Sequence, residues 1–599
     1  MLYIGGIEYT RCRSNMPLVY VLASIVAILY ACSCFHILVG LRFNVLRNLP
    51  GPPVTRWFGN HLQHVLDPFV SRKAHEIFVQ LYGRTMRIRG LGLWDERLLT
   101  LDPVSFSHIV KNPAIYQKPW QSRRLITSLI GCGMLAAEGH VHKRQRRVAL
   151  PAFTAQNMRS LVDISFRKGI QLRDAWMNLI RSETESTCAR IDVCEFVSRA
   201  TLDVMGLAGA SRFVSVSPLL MFATGFDYNF NSIEDETNEV FIAYRDMFEV
   251  AVSQSPRFRS LLLMYLPTIN RLFPDKTVRT VQQSREVIHR VAGRLIQEKK
   301  RKIFEGEKSG PYEGTDLLTL LLKSNAATDL PPEQRLSDED ILSNINTFMF
   351  AGSDTSSLSV TWTLFLLAQN PKIQNRLRTE LLSVAHEFPG DLSHLTEDQI
   401  QTLHTTLCGL PFLHNVTRES LRLIPPVHSS LRVATQDNEV PTMYPIHERD
   451  GTVNETRRSF IVPKGTVVHL PFEAFNLDKC VWGEDAWDFK PDRWDNLPDI
   501  VQQCPWHFSN ILTFSAGPRA SMSWTPFLPD RNEDLVLHTC DQFCVQGNRR
   551  QDRSTQCGLD AAISKWKIRG RHAMSSAGFA FFCYIVLSRH LPHFLYIEQ

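Results

Sequence analysis

Between Ser337 and Pro371 the sequence specifies one long helix, and a chain with such a helix near its centre has to be built around it. Ser337 is a cap residue and Asp340 stands at the capping-box position, while Asp338 and Glu339 add negative charge at the positive end of the helix. Apolar residues recur at Ile341, Ile345, Met349 and Phe350, and Asn370-Pro371 closes the run. The pattern predicts about thirty helical residues, well beyond the usual three or four turns. In the middle stands Ala351-Gly352-Ser353-Asp354-Thr355-Ser356. A mid-helix Gly costs about 1 kcal/mol relative to Ala, and Ser and Asp compete there for backbone hydrogen bonds. Two readings offset that cost. One is a kink or a close helix crossing. The other is a groove where a planar ligand lies flat, with Asp354 and Thr355 delivering protons.

A second pairing lies further on. Glu419-Ser420-Leu421-Arg422 falls on a helix predicted from Leu413 to Leu423 and ended by Pro425-Pro426. An i,i+3 Glu/Arg pair alone is weak, because solvated helix faces carry many. Phe489-Lys490-Pro491-Asp492-Arg493-Trp494 follows about seventy residues later, and Arg493 could join the pair in a buried bidentate network.

Residues 18–41 contain no formally charged side chain and as a helix would span roughly 36 Å, enough for a bilayer core. That is too long for the apolar part of a cleaved signal peptide. The expected organisation is a flank at 1–17, a transmembrane anchor at 18–41, a basic Pro-rich hinge at 42–53, a folded body at 54–520 and a tail at 521–599. Arg11 and Arg13 before the anchor balance Arg42 and Arg47 after it, whereas a start at Met16 would leave only the second pair and turn the body to the cytosol. The body reads as mostly helical. Residues 306–315 and 325–335 are expected surface loops around a short helix from Asp316 to Ser324, and 435–463 carries short strands.

A net charge of +6 over 599 residues argues against nucleic acid and fits a membrane or an acidic protein surface. The 13 cysteines are scattered without framework spacing, as in a cytosol-facing protein with reduced thiols. On that logic the sequons at Asn415 and Asn454 are accidental.

Taken together these segments resemble the cytochrome P450 family. Ala351 to Ser356 is similar to its oxygen-activating helix, Glu419 and Arg422 to its E-x-x-R pair, and Phe489, Pro491, Arg493 and Trp494 to its F-x-P-x-R-W segment. Phe514-Ser515-Ala516-Gly517-Pro518-Arg519 is similar to the start of its haem-binding loop. The anchor and hinge look like those of microsomal members, and phrases such as FMFAGSDTSS like fungal ones.

The resemblance covers roughly 17–520 and implies a mainly α fold with small β-sheets, preceded by one transmembrane helix. It implies a haem-thiolate monooxygenase that inserts one oxygen atom of O2 into a lipophilic small molecule. A lower alternative is a haem isomerase or dehydratase of the same family. Haem b is the implied cofactor: residues 138–146 are similar to the family's W-x-x-x-R helix, with His142 in place of its Trp and Arg146 at the arginine that pairs with a propionate, and Arg432 and Arg519 are weaker propionate candidates. Lys143 and Arg144 read as a solvated face. Thr355 would meet the dioxygen and Asp354 would relay protons, while Glu419, Arg422 and Arg493 hold the core. The implied partners are NADPH-cytochrome P450 reductase and membrane lipid, at the endoplasmic reticulum with the body facing the cytosol.

The pattern breaks at one position. Ser521 stands where the family has its iron-binding cysteine, and Ser523 where it has a glycine. A serine hydroxyl stays protonated near neutral pH and is a poor iron ligand beside a thiolate. Cys408, Cys480, Cys504, Cys540 and Cys544 all lie outside that loop motif, so no metal ligand is assigned. Beyond 521 the family likeness ends. Pro526, Pro529 and Asp530-Arg531-Asn532 oppose a helix, and the apolar run from Ala577 to Leu587 is too short for a bilayer. The abrupt end points to an unspliced intron or a frameshift, with an expressed degenerate relative as the competing account.

Overall fold

The computed structural model describes residues 45–521 apart from several internal stretches, the longest being 183–190, 209–229, 254–275 and 308–316. It also describes two short paired strands, Trp566–Ile568 and Leu595–Ile597. The anchor expected at 18–41 lies outside the described residues, four isolated positions apart, as do the flank at 1–17 and nearly all of the tail. Among the described residues no helix is long and apolar enough to cross a membrane.

The long helix runs from Asp338 to Gln369 and is capped as expected: Asp340 N–H donates to Ser337 Oγ at 3.0 Å, and Ser337 N–H to Asp340 Oδ2 at 3.1 Å. Pro371 opens the next helix, Pro371–Ala385. Helix Val193–Ala208 lies against the long helix at its glycine. A Cβ on Gly352 would fall 2.5 Å from Met205 Sδ. The close crossing is therefore the local reason for a glycine there. Phe350 and Leu358 anchor the same stretch in a core with Phe241, Tyr244, Met247 and Ile288.

Among the described residues of the body, nine strands fold into three sheets. In chain order they are β1 (Thr85–Arg89), β2 (Glu96–Thr100), β3 (Tyr116–Gln117), β4 (Ser429–Ala434), β5 (Asn438–Pro441), β6 (Ile446–His447), β7 (Val453–Asn454), β8 (Ser459–Val462) and β9 (Val467–Pro471). The largest sheet has the order β1-β2-β9-β4-β3, with β2 and β9 parallel and the other pairs antiparallel. Met86, Ile88 and Leu99 are buried on one of its faces and Leu98, Val468 and Leu470 on the other. The strands expected within 435–463 appear as β5 to β8, in two separate pairs. The order of the five-stranded sheet is not legible in the sequence, because its strands are short and two of its pairings, β2 with β9 and β3 with β4, join segments more than 300 residues apart.

The second half of the expected hinge packs against this sheet. Leu46 and Leu49 are buried, and Arg87 N–H donates to Pro50 O at 2.8 Å. Helix Leu317–Ala326 lies close to its expected place. Asn415 is buried on helix Pro411–Leu423 and its amide donates to Asp495 Oδ1 at 2.7 Å, which leaves no access for a glycan.

Candidate active site

The carboxylate of Glu419 organises one side of the site. Arg422 grips it bidentately, Nε to Oε2 and Nη2 to Oε1, both at 2.9 Å. Arg493 Nε donates to Oε1 at 3.0 Å, Trp494 Nε1 to Oε2 at 3.1 Å, and Lys490 N–H to Oε1 at 3.1 Å. The remaining Arg422 nitrogen donates to Asn476 O and Ala486 O. Every strong donor in this buried group thus has an acceptor, the condition under which buried charge is tolerated. The network joins three stretches of chain: Arg493 meets the Glu419–Arg422 pair, as expected, and the segment from Asn476 to Ala486, not foreseen from the sequence, enters through backbone carbonyls.

The network reaches the haem-type loop through Asn476. Its amide donates to Thr513 Oγ1 at 3.0 Å, its Oδ1 accepts Leu512 N–H at 2.8 Å, and Thr513 donates to Leu421 O at 2.8 Å. The loop then turns through Ser515 and Gly517, both at positive φ. A Cβ on Gly517 would sit 2.8 Å from Val110 O, so the loop backbone presses on helix Pro103–Lys111. Ser521 N–H closes the loop on Phe514 O at 3.1 Å. The loop is formed up to the ligand position, and the residue there is a serine.

The end of the loop meets a cluster of cations, of which Arg432 is buried and Lys118, Arg123, Arg146 and Arg519 are part-buried. Arg519 pairs with both oxygens of Glu138, and Arg146 Nη1 donates to Ala520 O at 3.0 Å. Lys118 N–H donates to Glu138 Oε1 at 3.0 Å. Burial lowers the Lys118 ammonium to about 7; Glu138 opposes the drop, and Arg519, Arg432 and Arg123 deepen it. Burial likewise lowers Arg432 to about 10, with Arg519 adding to it. Burial and then Lys118, Arg519 and Arg146 hold His142 near 4. Four of the sequence candidates (His142, Arg146, Arg432 and Arg519) are therefore brought together. Lys118, Arg123 and Glu138 were missed, although Glu138 directly precedes the basic helix Gly139–Ala149.

The solvated-face reading suits the exposed Lys143 but not Arg144. Arg144 is part-buried and pairs with Asp340 at 2.8 Å, beside a hydrogen bond from Gln145 Nε2 to Asp340 Oδ1 at 3.2 Å. The correction has a simple cause: the first turn of the long helix comes within reach of that face.

On the long helix, Phe348, Ala351 and Thr355 are part-exposed at spacings that share one face, and Met349, Gly352 and Ser356 beside them are part-exposed as well. Thr355 Oγ1 donates to Ala351 O at 2.6 Å. Asp354 is buried on another face, close enough for its charge to add to the burial that raises the Tyr244 phenol. The two residues are adjacent in sequence but present themselves in different directions.

A haem would need cations for its carboxylates and a donor for its iron. The first requirement is met: Glu138 faces a group of buried and part-buried cations, among which the neighbouring positive charges lower Lys118 and Arg432 further. The second is not, because the donor position offers a hydroxyl. The residues present do not fit a thiolate-ligated haem.

The sequence profile described as Cytochrome P450 matches residues 49–520. Cytochrome P450 monooxygenase 205 of Postia placenta is 37% identical over 487 residues, covering 80% of this chain and 82% of that protein. Cytochrome P450 monooxygenase 128 of the same organism is 34% identical over 489 residues, with the same coverage of 80% and 82%. Ganoderic acid synthetase CYP5150L8 of Ganoderma lucidum is 31% identical over 505 residues, covering 80% and 84%.

Proposed function

The chain belongs to the cytochrome P450 family, and from that premise we propose that its scaffold serves insertion of one oxygen atom into a lipophilic product of secondary metabolism. The family is one of haem-thiolate monooxygenases, so by membership the chain is an oxidoreductase with haem as cofactor, a redox partner and a lipophilic substrate. When bound, haem supplies oxygen activation. The observation that carries the reading is the part-exposed face of the long helix at Phe348, Ala351 and Thr355. Thr355 directs its hydroxyl hydrogen to Ala351 O, which leaves oxygen lone pairs free to accept a hydrogen bond. Asp354, buried beside Tyr244, serves the same proton path from behind.

The electron donor in this reading is NADPH-cytochrome P450 reductase, and the chain sits in the endoplasmic reticulum membrane by residues 18–41 with its body cytosolic. An exposed apolar stripe of Val70, Ile77 and Leu81 on helix Pro68–Tyr82 supports a membrane attitude for the body. Protease protection of the full chain in microsomes tests this: a body shielded inside the vesicles would sink it.

Ser521 favours a second reading for this exact chain, a non-catalytic product whose C-terminus has been replaced. The two separate cleanly. Sequencing the transcript across Ala520 should reveal a message that encodes cysteine at 521. If the mature message keeps Ser521 and the tail, the monooxygenase reading fails for this chain and the non-catalytic one stands.

A further inference from the structure

We propose that helix Pro68–Tyr82 is an acid-sensitive latch: a proton taken up by His75 releases this helix from the five-stranded sheet while the rest of the body stays folded. Three imidazoles and one carboxylate are buried together where the helix meets the sheet. His75 comes from the helix itself, His428 from the residue before β4, His469 from β9 and Glu473 from the short helix Phe472–Asn476. Neither ring nitrogen of His75 hydrogen-bonds to a described residue. The charged or titratable groups that face it are His428, Glu473 and His469. Glu473 is already engaged: His428 Nδ1 pairs with its Oε2, Ser71 Oγ donates to the same oxygen at 3.0 Å, and Arg72 adds a further positive charge nearby. His469 is engaged too, because its Nε2 accepts from Arg97 Nη1 at 3.3 Å. A proton on the docked His75 therefore finds no free acceptor and lies beside the charge of His428.

The remaining attachment of the helix is slight. Among its described side chains, Ala74 and Phe78 are the buried apolar ones, whereas Val70, Ile77 and Leu81 are exposed. The Glu76–Lys479 pair, at 2.9 Å, is part-exposed and worth little. Burial, with the His428 charge adding to it, holds His75 near 3 while the helix is docked. Once the helix leaves, the ring regains its ordinary value of about 6.5. The docked state is thus favoured fully above that value and loses ground as pH falls, by about tenfold in the opening equilibrium per pH unit for this one group. His469, and His61 standing edge-on to Phe78, are also lowered by burial and add slopes of their own if they are uncovered. Burial works against charge on His428 and Glu473, yet each holds the other ionised, so this pair does not titrate between about pH 6 and pH 5.

Hydrogen exchange of the full chain at about pH 6 and pH 5, corrected for the intrinsic rate and read by mass spectrometry, tests the latch. Amides of residues 68–82 should be at least about tenfold less protected than those of the long helix, and should lose about tenfold or more per pH unit. In His75→Leu that slope should fall by about tenfold per pH unit. Equal protection of the two helices overturns the proposal, since the helix would then open only with the whole body. Opening that ignores pH, or a slope that His75→Leu leaves unchanged, overturns it as well. Should His75→Leu fail to fold, His75→Gln keeps a polar, uncharged side chain and should lose the same slope; an unchanged slope again overturns the proposal.

Discussion

Arg493 Nε reaches Glu419 Oε1 at 3.0 Å across 74 residues of chain, onto the same oxygen that Arg422 Nη2 holds at 2.9 Å. Glu419 is thus the common acceptor of two buried guanidinium groups. Glu419→Ala should cost about 3–5 kcal/mol, because Arg422 would be left charged and buried without its carboxylate. Arg493→Ala should cost less, since the Arg422 pair survives. Urea denaturation of the full chain measures both. A loss below about 1 kcal/mol for Glu419→Ala would show that the network does not hold this core.

Gly517 and Gly451 make a controlled pair. Both adopt positive φ, 73° and 89°, but a Cβ meets Val110 O at 2.8 Å in the first and nothing within 4 Å in the second. Gly451→Ala should cost about 1 kcal/mol, the left-handed backbone penalty alone. Gly517→Ala should cost about 1–3 kcal/mol more through the clash. Equal losses in denaturation would mean that the loop moves away freely.

Asp340 closes the capping box and accepts from Arg144 and Gln145. Asp340→Ala should therefore destabilise by about 1–3 kcal/mol, more than an ordinary cap deletion. Combining it with Arg144→Ala should be clearly less than additive, since both remove one contact. Strict additivity in the double-mutant cycle would refute the ion pair.

Burial, with the nearby His428 charge adding to it, pushes the His75 imidazole down to about 3, and burial also pushes His469 well down. Their folded values lie below the unfolded value of about 6.5. The unfolded chain thus takes up protons first as pH falls, and stability is complete above pH 6.5. It is lost below that, by about 1.4 kcal/mol per pH unit for each such group, until the folded value is reached. His428 works the other way: burial opposes its protonation, but Glu473 beside it raises it above its ordinary value. Its contribution is whole below pH 6.5 and fades as pH passes its folded value. The melting temperature should fall from pH 7 to pH 5, and His75→Leu should flatten the fall. A His75→Leu slope equal to the parent's would contradict a neutral buried His75.

Ser521→Cys supplies a sulfur at the ligand position but leaves Ser523 and the tail unchanged. The reduced, carbon-monoxide-bound spectrum of the parent should lack the thiolate-type Soret band, and that of the variant should show it only weakly. A full band from this one substitution would argue against a replaced C-terminus.

Much of this was legible because it is local. Ser337 and Asp340 predicted the helix start through cap chemistry, and Asn370-Pro371 its end. Glu419, Arg422 and Arg493 are grouped from sequence because the weak i,i+3 pair Glu419/Arg422 is followed by the Phe489 to Trp494 segment, whose arginine can share the carboxylate. Lys118 and Glu138 were not found, because an isolated lysine or glutamate looks like any surface charge until its neighbours in space are known. Arg144 was misread for the same reason.

The sequence by itself determined the limits of the long helix, the members of the Glu419 network and the serine at position 521. Caps, proline and side-chain chemistry act over a few residues, so their consequences can be read from adjacent letters. Tertiary structure alone decided that β1 and β2 join β9, β4 and β3, that Gly352 makes room for Met205, and that one glutamate faces a group of buried and part-buried cations. Strand pairing, steric fit and Coulomb interaction depend on distance in space, which the order of residues does not state.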